Sequence, residues 1–229
     1  MEQKRPYVFT CSGMSLDGKI STYDRKQVPI ASIDNREILF DSRVRTDAVM
    51  IGGGQLIVDD PKLTVKTEQR EQERLKQGKS VQPIKVAVVS DISKINRDGE
   101  FFNSGDGQKI LFTTERSSKD LIEELNKICK IYVCGKEKVD LKDALSILYE
   151  LGVKTLMVEG GGELLYSLFK DDLIDEINIT HGNLILGGRN APTLCDGEGF
   201  SLKDAKSASL IDVKKVDDSL QLKYLVNKK

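Results

Sequence analysis

Six short apolar runs, rich in Val and Ile, recur along the chain with helical patterns between several of them. They are Pro6 to Ser12, Asp47 to Ile51, Ile84 to Val89, Lys109 to Thr113, Ile131 to Cys134 and Thr155 to Glu159. A strand apolar at nearly every position must be covered on both faces, which is the habit of a parallel sheet. Asp34 to Phe40 reads as a helix, with Asp34 as N-cap and Glu37 three residues on. Ser117 and Ser118 open another, whose Leu121, Ile122 and Leu125 form one face. Asp140 caps LKDALSILYEL, where Leu141, Leu145 and Leu148 share a stripe and Gly152 stops the helix. Gly162 to Lys170 is a further short helix. Ala208 to Val216 and Leu220 to Val226 read as an antiparallel hairpin around Asp217-Asp218-Ser219. The pattern predicts an α/β domain over residues 1–229, with a mixed, mainly parallel sheet flanked by helices and closed by that hairpin. Lys66 to Gln82, almost without apolar residues, is a solvated excursion or an exposed helix, not a linker.

Charge and cysteine usage exclude several classes. Lys plus Arg is 35 and Asp plus Glu is 36. A chain so balanced has no general pull on nucleic acid or an anionic membrane, so any bound anion needs a local site. No apolar run approaches membrane-spanning length, and the N-terminus MEQKRPYVF has no signal-peptide pattern. Cys11, Cys129, Cys134 and Cys195 match no zinc spacing and read as reduced thiols, which suits the cytoplasm. His181 is the single histidine and is set aside as structural; no nucleophile-elbow motif accompanies it.

Four glycine- or loop-centred motifs remain. In Met157-Val158-Glu159-Gly160-Gly161-Gly162-Glu163 a buried strand runs through three glycines into a helix. Such a junction admits ligand oxygens to the backbone and aims unpaired helix amides at them, which suits a pyrophosphate. It is also what a tight strand-to-helix turn needs. Glu159 sits at the carboxyl end of its strand, where ligands of open α/β sheets collect. Glu163 reads as support for the helix start. Gly52-Gly53-Gly54-Gln55, with Asp59-Asp60-Pro61-Lys62-Leu63-Thr64 behind it, also follows a strand end. Asp59 or Asp60 can accept from a ribose or a base, or the segment is simply a turn. Ser15-Leu16-Asp17-Gly18-Lys19-Ile20 is a turn whose Lys19 faces solvent or a ligand. Gly187-Gly188-Arg189 again permits close backbone approach, and Arg189 is a phosphate fork or a surface arginine.

The order SLDGKI, DAVMIGGGQLIVDDPKLT, LMVEGGGELLYSLFKDDLIDEI, ILGGRNAPTL resembles the riboflavin-specific reductases over about Pro6 to Val226. The match is closer to their stand-alone archaeal and fungal branch than to the reductase domain of the bacterial bifunctional deaminase-reductase. The resemblance implies a dihydrofolate-reductase-like fold, NADPH as hydride donor (NADH being possible) and a homodimer. No H-x-E with P-C-x-x-C pattern is present, so no deaminase domain is expected. The implied reaction reduces the ribosyl side chain of 2,5-diamino-6-ribosylamino-4(3H)-pyrimidinone 5′-phosphate by hydride transfer to C1′. The implied cofactor contacts are Gln55, Asp59, Ser90, Asp91, Gly161, Gly162, Glu163 and Leu164. The implied substrate contacts are Arg43, Leu63, Lys66 and Glu159, with Glu159 and Lys19 as candidate proton donors. Gln55 stands where the family usually has threonine, and Lys66 where it often has arginine. Lys94, Arg97, Lys136 and Lys138 are candidates for a cofactor 2′-phosphate. The competing readings are reduction of the deaminated pyrimidine, reduction of a dihydrofolate- or pterin-like molecule, and a non-catalytic nucleotide-binding module.

Overall fold

The computed structural model describes residues 4–26, 28–30 and 33–228, with side chains in the first helix described from Glu37 onward. In chain order the elements are β1 (Tyr7–Met14), α1 (Ile33–Arg45), β2 (Ala48–Gly52), α2 (Gly53–Asp59), α3 (Glu68–Lys76) and β3 (Ile84–Val88). A 3-10 turn at Ile92–Lys94 leads to α4 (Glu100–Asn103), β4 (Lys109–Thr113), α5 (Lys119–Leu125), β5 (Lys130–Val133) and α6 (Leu141–Glu150). The remainder is β6 (Thr155–Gly160), α7 (Gly162–Lys170), β7 (Glu176–His181), β8 (Ser207–Val216) and β9 (Ser219–Asn227). They divide into two compact units. One takes the chain up to Tyr7 and Phe40–Met157; the other takes Val8–Leu39 and the chain from Val158 onward.

In the first unit β2, β3, β4 and β5 pair in sequence order, all parallel. Their apolar character explains it: Val49, Met50, Ile51, Val86, Ala87, Ile110, Leu111 and Phe112 have no exposed surface. The expected helix caps are present. Asp140 accepts from the amides of Lys142 and Asp143 at 2.9 and 3.1 Å, and Ser118 from that of Leu121 at 3.3 Å. Asp47 accepts from the amides of Lys154 and Thr155 at 2.9 and 2.8 Å and is ion-paired to Lys79, fixing where β6 begins.

Two buried cations also hold this unit. Arg74 of α3 has no exposed surface, and its Nη1 donates to the carbonyls of Arg43, Val44 and Thr46 at 2.7, 3.1 and 2.7 Å. These carbonyls end α1, where a helix lacks partners and its dipole favours a cation. The polar segment 66–82 thus holds a helix, α3, anchored through a buried guanidinium instead of lying loose in solvent. Lys85 of β3 is equally buried. Its Nζ donates to the carbonyl of Phe101 at 3.0 Å and to that of Ser104, closing the end of α4. Burial pushes its pKa down to about 8.

In the second unit β1 pairs with β7 in parallel, and β9 lies antiparallel between β7 and β8. The closing hairpin is therefore present, with Asp217 in the left-handed region at its turn (φ 50°). Helix α1 runs longer than expected, and Asp34 falls inside it, not at its cap; the side chain of Asp34 lies outside the described residues. The sheets agree with the mixed, mainly parallel architecture that the patterning predicts. No helix among the described residues is long and apolar enough to cross a membrane.

Candidate functional site

In the second unit β6 passes through Gly160, at φ 129°, into α7. An added Cβ at Gly160 would be strained by that backbone, whereas one at Gly161 would meet nothing within 4 Å. The first amides of α7 lack intrahelical acceptors, so the approach over Gly161 is an open cradle for ligand oxygens. Gly162 is glycine for a different reason. A Cβ there would run into the Asp196 carboxylate and lie 2.7 Å from the carbonyl of Thr193. The segment Thr193–Asp196 is held there because Asp196 accepts from Thr193 N and Oγ1 at 3.1 and 2.7 Å. Glu163 is exposed in the first turn, and Leu164 is buried, so Leu164 can offer a ligand only its backbone. Glu159 is half-buried at the end of β6.

The same unit brings the Ser15–Ile20 and Leu184–Arg189 motifs together. Asp17 accepts from Ser15 Oγ at 2.7 Å and from the amides of Leu186 and Gly187 at 3.0 and 2.7 Å. These hydrogen bonds, that of Ser15 foremost, hold its carboxyl down to about pKa 2. The backbone adds Leu16 N to Leu184 O at 2.8 Å and Ile20 N to Pro192 O at 2.9 Å. Asp17 therefore works as a clamp between loops, a role that its place in a turn motif did not disclose. Lys19 is half-buried, with Nζ 3.3 Å from the carbonyl of Ala191. Arg189 is exposed, and His181 lies within β7.

In the first unit Gly52-Gly53-Gly54-Gln55 leads from β2 into helix α2. Gly53 lets it start against β3, since a Cβ there would lie 3.1 Å from Val89 Cγ1. Gln55, in the first turn, has its Oε1 buried with no hydrogen-bond partner. Such an atom costs free energy unless a ligand or water supplies a donor, so this residue fits a cofactor contact. The pair Asp59-Asp60 divides its labour. Asp59 is half-buried at the end of α2, but Asp60 is committed elsewhere. Its carboxylate accepts from the amides of Glu100 and Phe101 at 2.8 and 2.9 Å, capping α4 across 40 residues. Asp60 is thus removed from the ligand candidates. Ser90 and Asp91 lie just past β3. Asp91 accepts from the amide of Ser93 at 2.9 Å, and this bond lowers its pKa. Arg97 is ion-paired to Glu124, which withdraws it from the 2′-phosphate candidates; Lys94, Lys136 and Lys138 are exposed.

The substrate candidates of this unit gather around Phe40. Arg43 is buried, its Nη1 donating to Thr64 O at 2.8 Å, and its guanidinium carbon lies 5.5 Å from the Phe40 ring centroid. Lys66 Nζ lies 5.5 Å from the same centroid. Leu63, in the same loop as Lys66, has no exposed surface. Arg70, from the polar segment 66–82, joins the ring at 5.4 Å. Only the helical register of α3 could have placed it there.

The family model of the RibD C-terminal domain matches residues 6–216. The chain belongs to the RibD C-terminal domain family. Among its relatives is the 2,5-diamino-6-ribosylamino-4(3H)-pyrimidinone 5′-phosphate reductase of Archaeoglobus fulgidus, 39% identical over 199 residues, 87% of this chain and 90% of that protein. The protein of the same name from Methanothermobacter thermautotrophicus is 31% identical over 223 residues, 97% and 99% of the two chains. Among solved structures, a pyrimidine reductase-like protein from Corynebacterium diphtheriae superposes with a TM-score of 0.82 at 16% identity, over 98% of this chain and 93% of that one. It shares the fold. Membership agrees with the resemblance carried by the four motifs, and it places their residues in a reductase family.

Proposed function

We propose that this chain reduces the ribosyl side chain of 2,5-diamino-6-ribosylamino-4(3H)-pyrimidinone 5′-phosphate, with NADPH as the electron source, in riboflavin biosynthesis. The observation that carries the reading is near full-length similarity to reductases of that name, 39% identical across 90% of one of them. The chain works as one reductase domain in the cytoplasm.

The cofactor-binding set is Gln55, Asp59, Ser90, Asp91, Gly161, Gly162, Glu163 and Leu164. The unpaired Gln55 oxygen and the open face of Gly161 support it, because each is a polar or close-approach feature without a partner of its own. These residues would hold the nicotinamide cofactor, which would supply the hydride for C1′ of the opened ribosylamine. The protein orients the acceptor and excludes water. Arg43 and Lys66 hold the 5′-phosphate, and Leu63 backs their loop. Glu159 binds the substrate and, with Lys19, is a source of the proton that must reach the opening ring oxygen or the amine nitrogen. Exposed Lys94, Lys136 and Lys138 favour NADPH over NADH by pairing with a 2′-phosphate.

The active form is a homodimer. By the strand register, Leu210, Val213, Leu220, Leu222, Tyr224 and Val226 share one face of the β8–β9 hairpin. The first three are 52%, 50% and 42% exposed, an apolar surface that a second copy would cover.

The deciding assay follows nicotinamide absorbance with the diamino compound and, separately, with its deaminated counterpart. Faster turnover of the diamino compound is expected. Preference for the deaminated one would reverse the order of reduction and deamination. Tight NADPH binding without turnover of either would overturn the substrate assignment. Sedimentation reads the dimer, and Leu210→Lys should dissociate it.

A further inference from the structure

Among the described residues three cations share the Phe40 ring, and only two belong to the reading above. Arg43 comes from the end of α1, Lys66 from the loop before α3, and Arg70 from the first turn of α3. Like charges around one neighbour repel, and the pull of a ring quadrupole is modest recompense. The loop spends backbone energy as well, since Leu63 and Lys66 are both left-handed, at φ 49° and 76°. Non-glycine residues keep that conformation only where the surroundings impose it, and such positions cluster at ligand clamps.

Arg70 is the most firmly aimed of the three. Its Nε donates to Asp41 Oδ1 at 2.9 Å, its Nη2 lies 2.9 Å from the same oxygen, and its side chain is 14% exposed. The backbone amide of Arg70 is tied too, to the Thr67 side chain that caps α3. Lys66 is exposed, so the cluster is open to a solute at that side. A lysine provides a point charge, whereas an arginine provides a planar fork matched to phosphate oxygens.

We propose that Arg70, oriented by Asp41, is a third binding residue for the substrate 5′-phosphate, acting with Arg43 and Lys66. The inference rests on the reading that those two hold the phosphate. Asp41 is a positioning residue: it grips one edge of the guanidinium and thereby fixes its plane.

The test is steady-state kinetics with saturating NADPH, comparing the phosphorylated substrate with its dephosphorylated counterpart. Arg70→Ala should raise KM for the phosphorylated substrate roughly 10- to 100-fold, as expected for losing one charge-assisted contact. It should leave KM for the dephosphorylated compound, and kcat for both, within about twofold of the parent. Arg70→Lys should recover part of the loss, and Asp41→Asn should raise the same KM by less than Arg70→Ala does. Calorimetric titration of the cofactor-free protein with ribose 5-phosphate, compared with ribose, gives a second readout. Arg70→Gln, which keeps much of the side-chain length, replaces the alanine variant should that one fail to fold. Equal effects on both substrates, or none on either, would overturn the inference. Arg43→Ala and Lys66→Ala are read alongside. If neither discriminates between the substrates, the underlying phosphate assignment falls. If both do and Arg70→Ala does not, only the role of Arg70 falls.

Discussion

A lysine with no exposed surface should leave its mark on the pH dependence of stability. Lys85 has a folded pKa of about 8, lowered first by burial and then by the nearby Lys109, against 10.5 when solvated. Below pH 8 both states carry the proton, and the folded protein bears the full cost of a buried charge. Between the two values the folded lysine is neutral while the unfolded one still binds a proton, so stability rises with pH. From pH 7 to 9.5 the gain is about 2 kcal/mol by proton linkage. Two buried thiols act in the opposite sense. Burial raises Cys129 and Cys134 from 9.0 to about 11, so above pH 9 the unfolded chain ionises first. Over the same interval each costs about 1 kcal/mol, so the thiols offset most of the gain in the parent protein. Cys195, raised by burial, has the same sign as the other thiols.

The near-cancellation makes the parent curve uninformative alone and the variant decisive. Lys85→Met removes the rising contribution and leaves the thiols, so its stability should fall from pH 7 to 9.5. The gap between parent and variant should widen by about 2 kcal/mol, roughly 0.7 M in urea midpoint at an m of ~3 kcal/mol/M. Urea unfolding of both proteins at the two pH values reads this directly. Parallel pH trends would refute the argument, because they would mean that Lys85 keeps its ordinary affinity for protons when buried.

The two glycines at the start of α7 should respond in opposite ways. Gly162→Ala drives a Cβ into Asp196 and the Thr193 carbonyl and should cost about 1–3 kcal/mol of stability, measured by thermal unfolding. Gly161→Ala meets open space, so its melting temperature should hold while NADPH affinity, measured by fluorescence titration, falls. Asp60→Ala should lose about 1 kcal/mol through the uncapped α4 and leave NADPH affinity unchanged; weakened cofactor binding would return Asp60 to the site. Asp17→Ala should speed hydrogen exchange at the amides of Leu186 and Gly187 without altering that of the β3 amides.

Much of this fold is legible because its strands are buried on both faces. The runs containing Val49 to Ile51, Val86 to Val88 and Ile110 to Phe112 read as strands on composition alone, and Asp140 and Ser118 stand where caps must stand. The rest is hidden in the sequence for physical reasons. Helix α2 hides behind two glycines at its start and Asp-Pro beyond its end, residues that ordinarily mark turns. Strand β7 (EINITH) alternates polar with apolar residues beside a histidine, and only its pairing with β1 and β9 discloses it. Arg74 and Lys85 look like surface cations; their burial depends on helix ends contributed by distant segments. The site motifs showed where backbone can approach a ligand, but not that Asp60 and Asp17 are occupied holding other elements, nor that Arg70 turns toward Phe40.

The second unit is assembled from the two ends of the chain, and this opposes the order of synthesis to the order of assembly. The clamp between Asp17 and Gly187 spans 170 residues, and β1 finds its parallel partner β7 only after β2 to β6 have been made. At ~5–20 residues per second, roughly 10–30 s pass on the ribosome before that pairing can form. The first unit can collapse in that interval around β2, β3, β4 and β5, which are contiguous in sequence. Meanwhile Val8, Phe9 and Cys11, all buried in the finished protein, wait without their β7 neighbour. A nascent chain halted before Glu176 therefore lacks the β7 partner of β1, and translation speed between residues 14 and 176 sets how long that edge waits.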